Sequence, residues 1–187
     1  MLSELNEVTD HLFIASLRSV TDASLQQKGI TCVINCSMTA PNFTLSTIKY
    51  FPIMIEDNEK TNIASYFNEV TDLIYKEYTA GGKTLVYCIA GISRSATFCI
   101  AYLMKYNEMN LRNAFRHLRS RRKIVRPNNG FFKQLIDFEQ HLYNKTSVQM
   151  VRVPNADSPD CVVPDVFYEV CKGMIWLKSC KNTLRKW

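Results

Sequence analysis

Cys88 and Arg94 are separated by five residues in Tyr87-Cys88-Ile89-Ala90-Gly91-Ile92-Ser93-Arg94-Ser95. An ionised thiol is a strong nucleophile, and a planar guanidinium grips two oxygens of a tetrahedral oxyanion. Together they suit transfer of a phosphoryl group to sulfur. The spacing alone says little, because a core cysteine followed by a surface arginine would produce it too. The setting gives it weight. Residues 84–88 form a short apolar run after Gly81-Gly82 and read as a buried strand. From Arg94 onward, Ala96, Cys99, Ile100, Leu103 and Met104 recur at helical spacing. A tight turn from strand to helix aims several backbone N–H groups at one point, and the helix dipole adds positive potential there. Ile89, Ala90, Gly91, Ile92 and Ser93 would supply the amides and Arg94 the fork. The same field favours the Cys88 thiolate.

Two further groups fit this chemistry. The hydroxyl of Ser95 can hydrogen-bond the Cys88 sulfur and improve it as a leaving group, or it can cap the helix that follows. Ser93 is expected to shape the loop. An alkoxide or phenoxide leaves faster when a carboxylic acid protonates it, and the same group can then activate water. Asp57, in the polar stretch Glu56-Asp57-Asn58-Glu59-Lys60-Thr61-Asn62, is the candidate, with Glu56 as the fallback. Loop carboxylates are ordinarily just solvated, so the chemistry is what raises Asp57.

The elements that must position these groups can be read in order. Residues 12–15 form an apolar strand, 19–28 a helix closed by Gly29, and 30–36 a second buried strand. A strand at about 48–55 precedes the polar loop, and an amphipathic helix carries Phe67, Val70, Leu73 and Ile74. A helix over about 110–120 places Leu111, Ala114, Phe115 and Leu118 on one face, and a last helix runs through His141. Alternation of this kind predicts an α/β fold with a mostly parallel central sheet flanked by helices on both faces. Ligands in such sheets sit beyond the carboxyl ends of the strands, where Cys88 falls.

The string from Tyr87 to Ser95 resembles the phosphate-binding loop of the cysteine-dependent protein phosphatases, and Ala-Gly-Ile-Ser-Arg-Ser most resembles the dual-specificity branch. The Asp-x4-Asn-Ile-x3-Phe pattern starting at Asp57 is similar to that family's general-acid loop, and Arg126-Pro127-Asn128-x-Gly130-Phe131 is similar to a third motif. The resemblance spans roughly residues 5 to 143. It implies metal-free hydrolysis of phosphotyrosine and phosphoserine or phosphothreonine in proteins, through a phosphocysteine intermediate and with no cofactor. It also implies that Asn128 hydrogen-bonds the phosphate-loop backbone, while spacing allows that Asn128 simply caps the last helix. One residue departs from the pattern. The family usually carries His before the nucleophile, and here Tyr87 stands there as the expected loop support, able to donate a hydrogen bond but uncharged near neutral pH. A functioning but slower enzyme is the expectation. The alternative is a weakly active or inactive phosphoprotein-binding module. A lipid-phosphatase reading is weaker, because Ile89, Ala90 and Ile92 include no lysine to hold further phosphates.

Composition bounds the rest. A chain of 187 residues with 47% hydrophobic and 21% charged content suits one catalytic domain over residues 1–145. Residues 146–187 read as a C-terminal extension packing on it, similar to that of a few small atypical members, with a frayed basic tail. Seven cysteines at scattered positions argue against a disulfide framework and for a reducing compartment. Cytosol, with nuclear entry also compatible, follows from those thiols and from a start without a leader pattern. Cys32 and Cys36 read as strand residues rather than metal ligands, and no metal is expected. No apolar run is long enough to span a membrane. The net charge of +6 is concentrated in Arg112, Arg116, Arg119, Arg121, Arg122, Lys123 and Arg126. These read as a solvated face, or as a field that draws anionic substrate toward the pocket. Phosphorylated proteins are the expected partners, nucleic acid is not, and oligomeric state is open.

Overall fold

The computed structural model describes residues 4–41, 43–152 and 162–171. Its centre is a five-stranded sheet in the order β1-β2-β5-β3-β4, with β1 (Asn6–Glu7), β2 (Leu12–Ser16), β3 (Cys32–Asn35), β4 (Lys49–Pro52) and β5 (Thr84–Cys88). Only β1 runs antiparallel to its neighbour. Register aligns Phe13 with Leu85 and Leu85 with Val33, and aligns Ile14 with Val86 and Val86 with Ile34. Successive side chains of a strand point to opposite faces, so these rows divide between two cores.

The larger core takes Leu12, Ile14, Cys32, Ile34, Val86 and Cys88. Against it lie α2 (Phe67–Thr79), α3 (Arg94–Tyr106), α4 (Leu111–Arg121) and α5 (Asn129–Tyr143). The smaller core takes Phe13, Ala15, Val33, Leu85 and Tyr87 against Val20, Leu25 and Ile30 around α1 (Asp22–Lys28). Helices therefore cover both faces, but unequally. A helix buried on every side is apolar all round, and α3 fits this, with Arg94 to Met104 buried without a break.

Most element ends sit where local chemistry sets them. The helix expected from Ser19 begins instead at Asp22, because Thr21 and Ser24 form a capping box. It stops at Gly29, whose φ of 66° is left-handed. Asn110 and Asn128 each accept an N–H from the first turn of α4 and α5. The strand expected over 48–55 is shorter. Pro52 has no N–H to continue it, although the Ile53 N–H still reaches Asn35 O at 2.7 Å.

Beyond α5, β6 (Met150–Arg152) and β7 (Val162–Pro164) form an antiparallel pair leading into α6 (Asp165–Cys171). Phe167 packs on Phe115 and Phe132 with ring centroids 5.4 and 5.0 Å away. Arg112 Nη2 lies 2.6 Å from Asp165 Oδ2. Burying one such aromatic ring stabilises by about 1.5–3 kcal/mol, and it is Phe167 that packs α6 against α4 and α5. The expected basic tail lies outside the described residues. Among the described residues, no helix is long and apolar enough to cross a membrane.

Candidate active site

Cys88 ends β5 and Arg94 begins α3, so the loop between them lies beyond the carboxyl edge of the sheet. Cys88 is 1% exposed, whereas Ile89 and Ala90 are exposed. The sulfur thus forms the floor of the loop and these two residues its rim. The Gly91 N–H donates to Cys88 Sγ at 3.2 Å, and Ser95 Oγ lies 3.3 Å from the same sulfur. The cap of α3 is Ser93, not Ser95, which leaves the Ser95 hydroxyl to the sulfur.

The loop carbonyls are all engaged from outside. Ile89 O accepts from Leu17 N–H at 3.2 Å, and Ile92 O accepts from Arg126 N–H at 2.9 Å. Between them, Ala90 O and Gly91 O accept from Arg122 Nη2 and Nε at 3.0 and 2.8 Å. Gly91 has φ of 65°, and a Cβ there would stand 2.5 Å from Ala15 O. Only glycine meets both demands.

Arg94 is one-tenth exposed and reaches across the loop. Its Nη1 donates to Ile55 O at 3.1 Å. Its Nε is buried without a hydrogen bond, 3.4 Å from Asp57 Oδ2. The other oxygen of Asp57 accepts from Ser93 Oγ at 2.7 Å and from Asn128 Nδ2 at 2.9 Å. Cys88, Arg94, Ser95, Ser93 and Asp57 are therefore brought together. Glu56 is exposed, with no contact to this group described. Gly130 lets α5 approach the acid loop, since a Cβ there would overlap Glu59 O at 1.9 Å. Gln134 clamps the far side, accepting from Ala64 N–H and donating to Thr61 O, both at 2.9 Å.

Two expectations need correction. The Asn128 side chain does not bond the phosphate-loop backbone. Its oxygen caps α5 by accepting from Phe131 N–H at 2.9 Å, and its amide goes to Asp57. Its contact with the loop is through its own backbone N–H, which donates to Ser93 Oγ at 3.1 Å. Tyr87 does not brace the loop with its hydroxyl either. Strand alternation sends its ring into the smaller core, where the phenol is buried beside Tyr50 on the face opposite Cys88. Burial there pushes the phenol's pKa up.

Sequence reasoning passed over Arg122, which it grouped with the surface charges, although the side chain is almost wholly buried. The signal was present: Leu111, Phe115, Leu118 and Arg122 follow one another at helical spacing on the buried face. Three further cysteines among the described residues, Cys32, Cys36 and Cys99, are buried in the larger core. Burial pushes Cys36 and Cys99 up and Cys32 up to about 12, as inert core thiols require.

Residues 12–141 match the family model described as the dual specificity phosphatase catalytic domain. The chain is 41% identical over 162 residues to dual specificity protein phosphatase 14 of Mus musculus, covering 86% of this chain and 79% of that one. It is 36% identical over 186 residues to dual specificity protein phosphatase 18 of Rattus norvegicus, covering 99% and 89%. Among solved structures, the human tyrosine phosphatase-like serine/threonine/tyrosine-interacting protein superposes with a TM-score of 0.70 at 34% identity. That match covers 76% of this chain and 99% of the other. With a sulfur floor, a tied-back loop and a match over most of its length, the chain belongs to the atypical dual-specificity protein phosphatases, and its activity is that of a protein phosphatase.

Proposed function

We propose that Cys88 is the nucleophile, Arg94 and the loop amides the phosphate grip, Asp57 the general acid and base, and Ser95 the support of the sulfur. In the first step the Cys88 thiolate attacks phosphorus, the S–P bond forms, and the ester P–O bond breaks. Asp57 gives its proton to the departing oxygen. In the second, water attacks phosphorus while Asp57 takes its proton, the S–P bond breaks, and inorganic phosphate leaves. The Ser95 hydroxyl, 3.3 Å from the sulfur, stabilises the returning thiolate.

The Arg94–Asp57 contact suggests how the acid is readied. A phosphate dianion offers Arg94 a better bidentate partner than Asp57 does, and it fills the unmet bonding of the buried Nε. It also brings negative charge beside Asp57, the condition under which a carboxyl holds a proton. Asp57 is thereby released from the guanidinium as the leaving oxygen arrives.

The observation that carries the proposal is that Gly91 N–H and Ser95 Oγ converge on the Cys88 sulfur, with the Asp57–Arg94 pair beside it. Replacing Cys88 by serine tests it. Turnover of phosphotyrosine and phosphothreonine peptides should fall on the order of 10⁴-fold or more, as for loss of other enzymic nucleophiles. Phosphopeptide binding should survive. Turnover within tenfold of wild type would remove Cys88 from the chemistry.

A second reading, a phosphoprotein-binding module with little activity, is favoured by Tyr87 and by the relative named as an interacting protein. It requires that wild type bind phosphopeptide with negligible turnover and that Cys88→Ser change neither property. The same assay run on phosphoinositides ranks protein against lipid substrates. The cytosol, with access to the nucleus, is the compartment proposed. Cys32, Cys36, Cys88 and Cys99 are all free, as a reducing compartment keeps them. Recovery of the protein in a secreted fraction would overturn that.

A further inference from the structure

We infer that Arg122 is a positioning residue of the phosphoryl-transfer site, one that holds two peptide groups of the phosphate loop in the orientation that binds phosphate. The inference rests on the mechanism proposed above, and it begins with the planar trans peptide, whose C=O and N–H point in opposite directions. The carbonyl of Ala90 shares a peptide with the N–H of Gly91, and the carbonyl of Gly91 shares one with the N–H of Ile92. Arg122 Nη2 and Nε hold both carbonyls on the outer side of the loop. The paired N–H groups are thereby turned the other way, and Gly91 N–H does point at Cys88 Sγ, at 3.2 Å.

The outer anchors of the loop are not equivalent. Ile89 O and Ile92 O are held by single backbone N–H groups. The two carbonyls at the crown depend on this one side chain. Its third nitrogen, Nη1, donates to Asn6 Oδ1 at 2.7 Å, which ties the fork to β1. All three nitrogens are therefore engaged, and the residue is 3% exposed. Gly91 makes room for it: a Cβ at that position would lie 2.9 Å from Nη2.

The guanidinium also brings a buried positive charge behind the loop. Burial lowers the proton affinity of Arg122 and the neighbouring Cys88 charge opposes that fall. Arginine remains charged in proteins. Tyr87, on the opposite face of the sheet, brings no charge from the position where the family usually has His. Arg122 is thus a cation on the outer side of the loop that can favour the Cys88 thiolate without touching substrate.

The test compares Arg122→Met, which removes fork and charge, with Arg122→Lys, which keeps the charge and loses the fork. Three readouts are taken below the unfolding temperature of each variant: kcat and KM on a phosphotyrosine peptide, affinity for inorganic tungstate, and the pH profile of Cys88 alkylation by iodoacetamide. Arg122→Met should lower kcat/KM on the order of 100-fold, the scale of losing an aligned oxyanion donor. It should weaken tungstate more than tenfold and move the alkylation profile to higher pH. Arg122→Lys should keep the alkylation profile near wild type while still losing tungstate affinity. Millimolar guanidinium chloride should restore part of the activity of Arg122→Met. If Arg122→Met does not fold, Arg122→Lys decides by the same readouts. Folded variants with tungstate affinity and kcat within twofold of wild type would overturn the inference. Should wild type bind tungstate but turn over no phosphopeptide, the catalytic reading fails, and the tungstate comparison still judges Arg122.

Discussion

The phosphate loop and the Asp57 loop flank one sulfur and are held by different means. Every carbonyl from Ile89 to Ile92 accepts a hydrogen bond from a residue outside the loop: Leu17, Arg122 or Arg126. Asp57 lies beyond the last sheet bond of its segment, from Ile53 N–H to Asn35 O. Its own partners are side chains: Ser93, Asn128 and Arg94. One of them, Arg94, is also the residue a phosphate would claim. The part that must be aligned before substrate arrives is anchored from behind, which avoids reorganisation during the reaction. The part that must change partner during the reaction is held by contacts that substrate can exchange.

The sharpest way to break this contrast is at Asp57. Asp57→Asn keeps the shape and one acceptor oxygen but has no proton of the right acidity to give. On alkyl phosphates such as phosphoserine, kcat should fall by roughly 10²- to 10³-fold, within the range of general acid catalysis. The loss should shrink to a few-fold for aryl phosphates whose phenols leave unaided. A rate series over leaving groups of graded acidity checks it, and an equal loss across the series would make Asp57 a structural residue only. A smaller effect is expected from the other face of the sheet. Tyr87→His puts a titratable cation next to Cys88 in the chain in place of a buried, uncharged phenol. Turnover should rise by roughly threefold to tenfold, the effect of a charge interaction of about one pKa unit or less. If kcat and the rate of Cys88 alkylation both stay at wild-type values, the substitution at this position is harmless.

Features set by near neighbours were legible before the fold was seen. The strand into Cys88, the helix from Arg94, the stop at Gly29 and the cap that was one of two readings of Asn128 depend on residues within one or two turns. Partners distant in the chain were not. Of the basic residues from Arg112 to Arg126, Arg112 pairs with Asp165 and Arg119 donates to Val125 O at 3.0 Å. Arg122 holds the phosphate loop, and the Arg126 guanidinium lies 5.4 Å from the Phe167 ring centre. A count of charges treats these as one field, whereas periodicity on α4 separates Arg122 from exposed Arg121 and Lys123. Tyr87 shows the same limit in another form. Its place next to the nucleophile suggested contact with the loop, and strand alternation carries it to the opposite core.

The smallest expected effect is at Asn128, where a local role and a distant one meet in a single side chain. Its oxygen caps α5, and its amide reaches Asp57, 71 residues earlier in the chain. Asn128→Ala removes both and should cost about 1 kcal/mol of stability, the usual value of a lost cap. Asn128→Ser keeps an oxygen that can cap the helix but is too short to reach Asp57. The serine variant should therefore unfold near the wild-type temperature while sharing the alanine variant's loss in kcat. That loss should be only about twofold to fivefold, because Ser93 still holds the same carboxylate oxygen and a single neutral hydrogen bond is worth about 0.5–1.5 kcal/mol. Thermal unfolding followed beside kcat on an alkyl phosphate separates the two roles. If the serine variant loses stability but keeps wild-type kcat, the bond from Asn128 has no part in placing the acid, and Asp57 is held by its remaining partners, Ser93 and Arg94.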